Sequence, residues 1–112
     1  MRFASLKEII WLDTIGIPDD PQYRQVRIGR YKLDGLLDGV AYEFNGTFWH
    51  GDPRVYERDF INVKNRLTMG FLYDRTLRKQ AKLESLGYTV KFLWELDGDS
   101  GLLFSPDHPT YA

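Results

Sequence analysis

The sequence predicts an α/β fold of order αβββαβ, with a mixed sheet flanked by helices. Three observations carry this prediction. Ser5-Leu6-Lys7-Glu8 has the form of a helix start, Asp38-Gly39 sits between two alternating apolar runs, and a helical period after Thr68 gives way to strict alternation at Tyr88. At 112 residues the chain is read as one domain, 1–112, large enough for a core without disulfide or metal staples.

The elements follow in order. Ser5 and Glu8 make a capping box, in which the serine caps the helix and the glutamate reaches back to the Ser5 amide. The helix runs to about Ile15 and stops at Gly16, with Ile9, Ile10, Trp11 and Leu12 giving it a wide apolar face. Pro18 and Pro21 bracket a loop, and Tyr23 to Ile28 alternates as a strand with its arginines outward. Asp-Gly supplies the two positive φ angles of a type I′ turn, so 30–37 and 40–45 are paired strands. That turn places Leu37 opposite Val40, Leu36 opposite Ala41, Gly35 opposite Tyr42, Asp34 opposite Glu43 and Lys32 opposite Asn45. Asp34, Glu43, Lys32 and Asn45 then share a polar face, and Leu33, Leu37, Val40, Tyr42 and Phe44 share a core face.

From Gly46 to Leu67 no period is evident, and irregular stretches of this length in a small domain are usually functional. After Thr68, Leu72, Tyr73, Thr76, Leu77, Gln80 and Leu83 line one side of a helix. Arg75, Arg78, Lys79 and Lys82 fall largely on the other. Gly87 stops that helix, and Tyr88 to Glu95 is a strand with Val90, Phe92 and Trp94 on one face. A parallel fourth strand would make the sheet mixed. The tail, 97–112, carries no readable signal.

Composition narrows the function classes. A hydrophobic share of 43% excludes a disordered chain, and no apolar run is long enough to span a membrane. The N-terminus lacks a signal-peptide layout, so a cytoplasmic protein without a membrane partner is expected. With no cysteine, disulfides and thiolate zinc sites are excluded, and no zinc is expected. The net charge of −1 hides a segregation: 33–53 holds Asp34, Asp38, Glu43 and Asp52 without a base, between basic blocks at 21–32 and 54–82. An acidic block between basic ones suits a polyanion held around a metal, although the charge pattern alone favours ordinary solvated faces.

Two carboxylates directly across a hairpin repel each other, and a shared divalent cation would remove the conflict. Mg²⁺ is the expected ion, with Mn²⁺ as a substitute, because hard oxygen ligands suit it. It would activate a water for in-line displacement at phosphorus.

Asp34, then eight intervening residues, then Glu43-Phe44-Asn45 resembles the PD-(D/E)xK nuclease signature, and the αβββαβ order resembles that superfamily's restriction-endonuclease-like core. Asn45-Gly46-Thr47-Phe48-Trp49-His50-Gly51 is similar to the histidine-bearing loop of very-short-patch repair (Vsr-like) endonucleases, and closer still to phage EDxHD homing endonucleases. Leu86 to Val90 and Leu93-Trp94-Glu95 are similar to their closing segment, so the resemblance spans about residues 5 to 96. It implies a Mg²⁺-dependent DNA endonuclease acting on double-stranded DNA, in the host cytoplasm if phage-encoded. Asp34 and Glu43 would be metal ligands with the Phe44 carbonyl, His50 the catalytic histidine, and Glu8 a helix-borne acid aimed at the site. Asn45 departs from the pattern, standing where the superfamily usually has lysine.

Each residue also has a plainer role. Glu8 is accounted for by its capping box, Asn45 by a strand end, and Lys32 by a solvated strand position, although its place across from Asn45 offers the missing charge. Arg54, Arg58, Lys64, Arg66, Arg75, Arg78 and Lys79 are solvated surface or grip a DNA backbone. Trp49 packs in the core or wedges against bases. Three functions stay open: a nuclease, a homodimer if it is to cut both strands; a DNA-binding module of the same fold impaired at Asn45; and a protein with no nucleic-acid role.

Overall fold

A computed structural model describes residues 4–112. Helix α1 spans Leu6–Thr14, and strands β1 (Arg24–Ile28), β2 (Tyr31–Leu37) and β3 (Val40–Asn45) follow. A single helical turn, α2 (Thr47–His50), precedes the long helix α3 (Met69–Ser85). Strand β4 (Thr89–Trp94) and the short helix α4 (Glu95–Asp99) complete the order. The sheet runs β1-β2-β3-β4, antiparallel except for the parallel β3–β4 pair, so it is mixed as expected. No helix among the described residues is long and apolar enough to cross a membrane.

Helix starts and stops follow local chemistry. The Ser5 hydroxyl accepts from the Glu8 amide at 3.2 Å, and the Thr68 hydroxyl accepts from the Phe71 amide at 3.1 Å. Asp38 and Gly39 both have positive φ, 52° and 77°, as a type I′ turn requires. The observed pairs Gly35–Tyr42, Leu36–Ala41 and Leu37–Val40 are those the turn predicts.

Helices cover both faces of the sheet. On one side Trp11, Leu12 and Ile17 pack on Phe44 and Leu93. Gly35 lets α1 approach this closely, since a Cβ there would sit 3.1 Å from Leu12 Cδ2. On the other side Leu83 of α3 packs on Leu33 and Ala41. This corrects the expected face assignment: Leu33 belongs with Ala41, not with Phe44. Strict alternation fails beside Asp34, where the β2–β3 ladder ends and where Gln25, on β1, is held at a φ of +54°. Lys32 and Asn45 are accordingly not a cross-strand pair; Lys32 pairs with Arg27 and Asn45 with Trp94. Arg24 also departs from expectation. It turns inward, donating to Asp13 at 2.6 Å and to the Ile17 carbonyl at 2.5 Å.

The stretch without a period holds α2 and then turns, pinned by two fully buried polar side chains. Asp52 receives Arg54 through both Nε and Nη2, and the Asn62 amide donates to the Phe48 carbonyl at 3.1 Å. The unread tail closes over β4. Ser105 donates its amide to the Phe92 carbonyl, and His108 stacks on Phe92 with ring centroids 3.9 Å apart.

Candidate active site

Beyond the Gly35–Tyr42 pair the two central strands stop exchanging main-chain bonds, and carboxylates fill the gap. The Asp34 amide donates to Glu43 Oε2 at 3.0 Å, and the Phe44 amide donates to Asp34 Oδ2 at 2.8 Å. Each acid thus satisfies an amide of the opposite strand, which holds both carboxylates at the splay. Both are buried, at 3% and 8% exposure.

Burial pushes Glu43 up to about 7, and the neighbouring Asp34 charge adds to the rise, against the pull of Lys79. A carboxyl raised in this way is stabilised in its ionised form by a nearby positive charge. Lys79 supplies one from α3: its ammonium contacts Glu43 and donates to the Lys32 carbonyl at 2.6 Å. This corrects the outward placement expected for Lys79. Helical periodicity put it near the boundary between faces, and its long stem carries the charge inward.

Glu8 lies at 1% exposure and accepts from Gln25 Nε2 at 2.8 Å, so the expected reach back to the Ser5 amide is not made among the described residues. The strained backbone of Gln25 lies next to this buried acid, the kind of place where positive φ in a non-glycine residue is retained.

His50 ends α2. Its Nδ1 lies 2.9 Å from the Thr76 hydroxyl, and its ring meets Trp94 edge-on at 6.4 Å. The turn is fixed at both ends. The Thr47 amide donates to Glu95 at 2.9 Å, and Gly51 follows His50 with a φ of 66°, where a Cβ would fall 2.2 Å from the Met69 carbonyl oxygen.

A cavity of about 560 Å³ brings Glu43, Asn45, His50 and Lys79 together with Arg30, Lys32, Arg75 and Arg78. Arg75 and Arg78 stand over the Phe71 ring at 5.8 and 5.7 Å. The other basic residues are placed differently. Arg54 is engaged by Asp52 and Asp97, and Arg58 by Asp74 and the Tyr111 ring. Lys64 and Arg66 are exposed on the turns before α3, and Trp49 is 55% exposed against Phe48.

The donor set suits a hard divalent cation. Among the described residues no three His, Cys, Asp or Glu side chains form a ready-made cluster; two carboxylates with main-chain oxygen and water are donors of the kind Mg²⁺ takes. Sequence reasoning missed Thr76, Gln25 and Asp52. Nothing in one-dimensional spacing links residue 50 to 76 or 8 to 25.

Comparison with protein families, curated proteins and solved structures finds no match to this chain.

Proposed function

We propose that the chain is a Mg²⁺-dependent DNA endonuclease with a restriction-endonuclease-like core, of the Vsr-like, EDxHD homing type. The observation that carries the reading is the buried Asp34–Glu43 pair, bridged through main-chain amides, whose Glu43 lines a cavity rimmed by arginine and lysine. Asp34, Glu43 and the Phe44 carbonyl would hold the cation. When bound, it supplies charge neutralisation for a scissile phosphate and acidity for a water.

The remaining roles belong to this chain's side chains. Arg30, Lys32, Arg75 and Arg78 attract and seat a phosphodiester backbone at the cavity mouth. His50 takes a proton from the attacking water, a role an imidazole ring can fill. Lys79 favours the ionised form of Glu43 against burial and ties α3 to β2. It provides, from a helix, the cationic neighbour that Asn45 does not provide from the strand. One such site cuts one strand, so a double-strand break requires a homodimer or two successive nicks.

The test is relaxation of supercoiled plasmid in Mg²⁺ or Mn²⁺, with wild type compared with Asp34→Ala and Glu43→Ala. Nicking by wild type that both variants abolish supports the proposal. DNA binding without nicking would instead identify the DNA-binding module, and absence of both would exclude a nucleic-acid role.

A further inference from the structure

The two histidines of the chain are held by the same helix, one turn apart, in opposite ways. The Thr76 hydroxyl lies 2.9 Å from the Leu72 carbonyl, which can only accept, so the single hydroxyl proton is committed there. Thr76 Oγ1 must then accept from His50, and the proton on that side of the ring sits on Nδ1. In the neutral imidazole the lone pair is consequently on Nε2.

His108 shows the reverse arrangement. Trp94 Nε1 can only donate, and it lies 3.0 Å from His108 Nδ1, which therefore carries a lone pair. The proton is on Nε2, facing the Gln80 carbonyl oxygen at 2.6 Å.

We propose that Thr76 is a positioning residue that holds His50 in its Nδ1–H form, making Nε2 the nitrogen that accepts a proton in the cavity. The proposal deepens the nuclease reading, on which the role of His50 as proton acceptor rests. It assigns Thr76 no contact with DNA. A neutral histidine accepts a proton only at its bare nitrogen, so the wrong tautomer turns a donor toward the water and stops proton transfer. The edge contact with Trp94 fixes the ring from a second direction.

The test is ¹⁵N NMR of the histidine rings at a pH where both are neutral, on wild type, Thr76→Val and Thr76→Ser, with assignment by His50→Gln. In wild type, His50 shows a pyrrole-type Nδ1 and a pyridine-type Nε2, and His108 shows the opposite pattern. Thr76→Val removes the acceptor without removing bulk, so His50 shifts toward the Nε2–H form that unconstrained histidine prefers. Thr76→Ser keeps the Nδ1–H form. His108 stays unchanged in every variant, which certifies that α3 and the tail remain folded.

In plasmid nicking, Thr76→Val lowers turnover by roughly tenfold or more at unchanged half-saturating DNA, and Thr76→Ser restores it. A wild-type His50 in the Nε2–H form, or a Thr76→Val spectrum equal to wild type, overturns the proposal. Tautomers as stated in a wild-type protein that never nicks DNA support the Thr76–His50 relation and refute the nuclease reading instead.

Discussion

Replacing Glu43 by glutamine should stabilise the metal-free protein, although it removes an ionised residue with a lysine partner. Glu43 has a folded-state pKa raised from an ordinary 4.5 to about 7 by burial and by Asp34. A carboxyl raised in this way binds its proton more tightly when folded. The wild type therefore gains stability as pH falls from 7 toward 4.5, and above pH 7 it carries the full penalty of the ionised form. At about 1.4 kcal/mol per pH unit, that penalty is about 3 kcal/mol. Glutamine escapes it, and its carbonyl oxygen still accepts from the Asp34 amide. The pull of Lys79 on the ionised carboxylate is already contained in that figure, because the folded-state pKa reflects it. The gain is therefore about 3 kcal/mol.

Urea denaturation at pH 8 in chelator measures this as a higher midpoint at unchanged slope. The gain should shrink at pH 5, where wild-type Glu43 is protonated. Added Mg²⁺ should stabilise wild type but not Glu43→Gln, because only wild type retains both carboxylates. A Glu43→Gln protein less stable than wild type at pH 8, or equally stabilised at both pH values, refutes the reasoning.

Other perturbations separate neighbouring roles. Gly51→Ala forces a Cβ to within 2.2 Å of the Met69 carbonyl oxygen at positive φ, and thermal unfolding should show a loss of about 3 kcal/mol or more. Lys79→Met should lower stability by about 1–2 kcal/mol and cut nicking, whereas Lys32→Met should leave urea stability within about 0.5 kcal/mol of wild type. For Asp97, burial works to raise its pKa, but hydrogen bonds from Arg54 and Ser105 outweigh it and hold the group below the usual carboxylate range. Its stabilising contribution is present above that range and lost as pH falls through and below it. Asp97→Asn should therefore flatten the acid limb of a stability–pH curve.

The hairpin was legible because turn chemistry is local. Asp38-Gly39 sets the register as far as Gly35–Tyr42, and just beyond it the Asp34 amide donates to the Glu43 carboxylate. Helix α3 was legible from its period, but the direction of Lys79 was not, because a long side chain at a face boundary goes where charge draws it. The misplacement of Leu33 has a comparable cause. Alternation assumes a continuous ladder, and here two carboxylates replace the ladder at the point where the site forms. Glu8 was legible as a helix-start residue, yet only tertiary packing turns its side chain toward Gln25 instead of Ser5. The tail gave no signal because its order comes from contacts made at a distance: His108 on Phe92, Ser105 on Trp94 and Asp97.

The most direct measurement is a time course of supercoiled plasmid with purified wild-type protein in Mg²⁺, read on a gel beside a chelator control and Asp34→Ala. The account predicts open circles accumulating before any linear product in the first lane, and intact supercoils in the other two. Supercoils that persist in all three lanes while the protein still binds the plasmid, or nicking that survives Asp34→Ala, would contradict it.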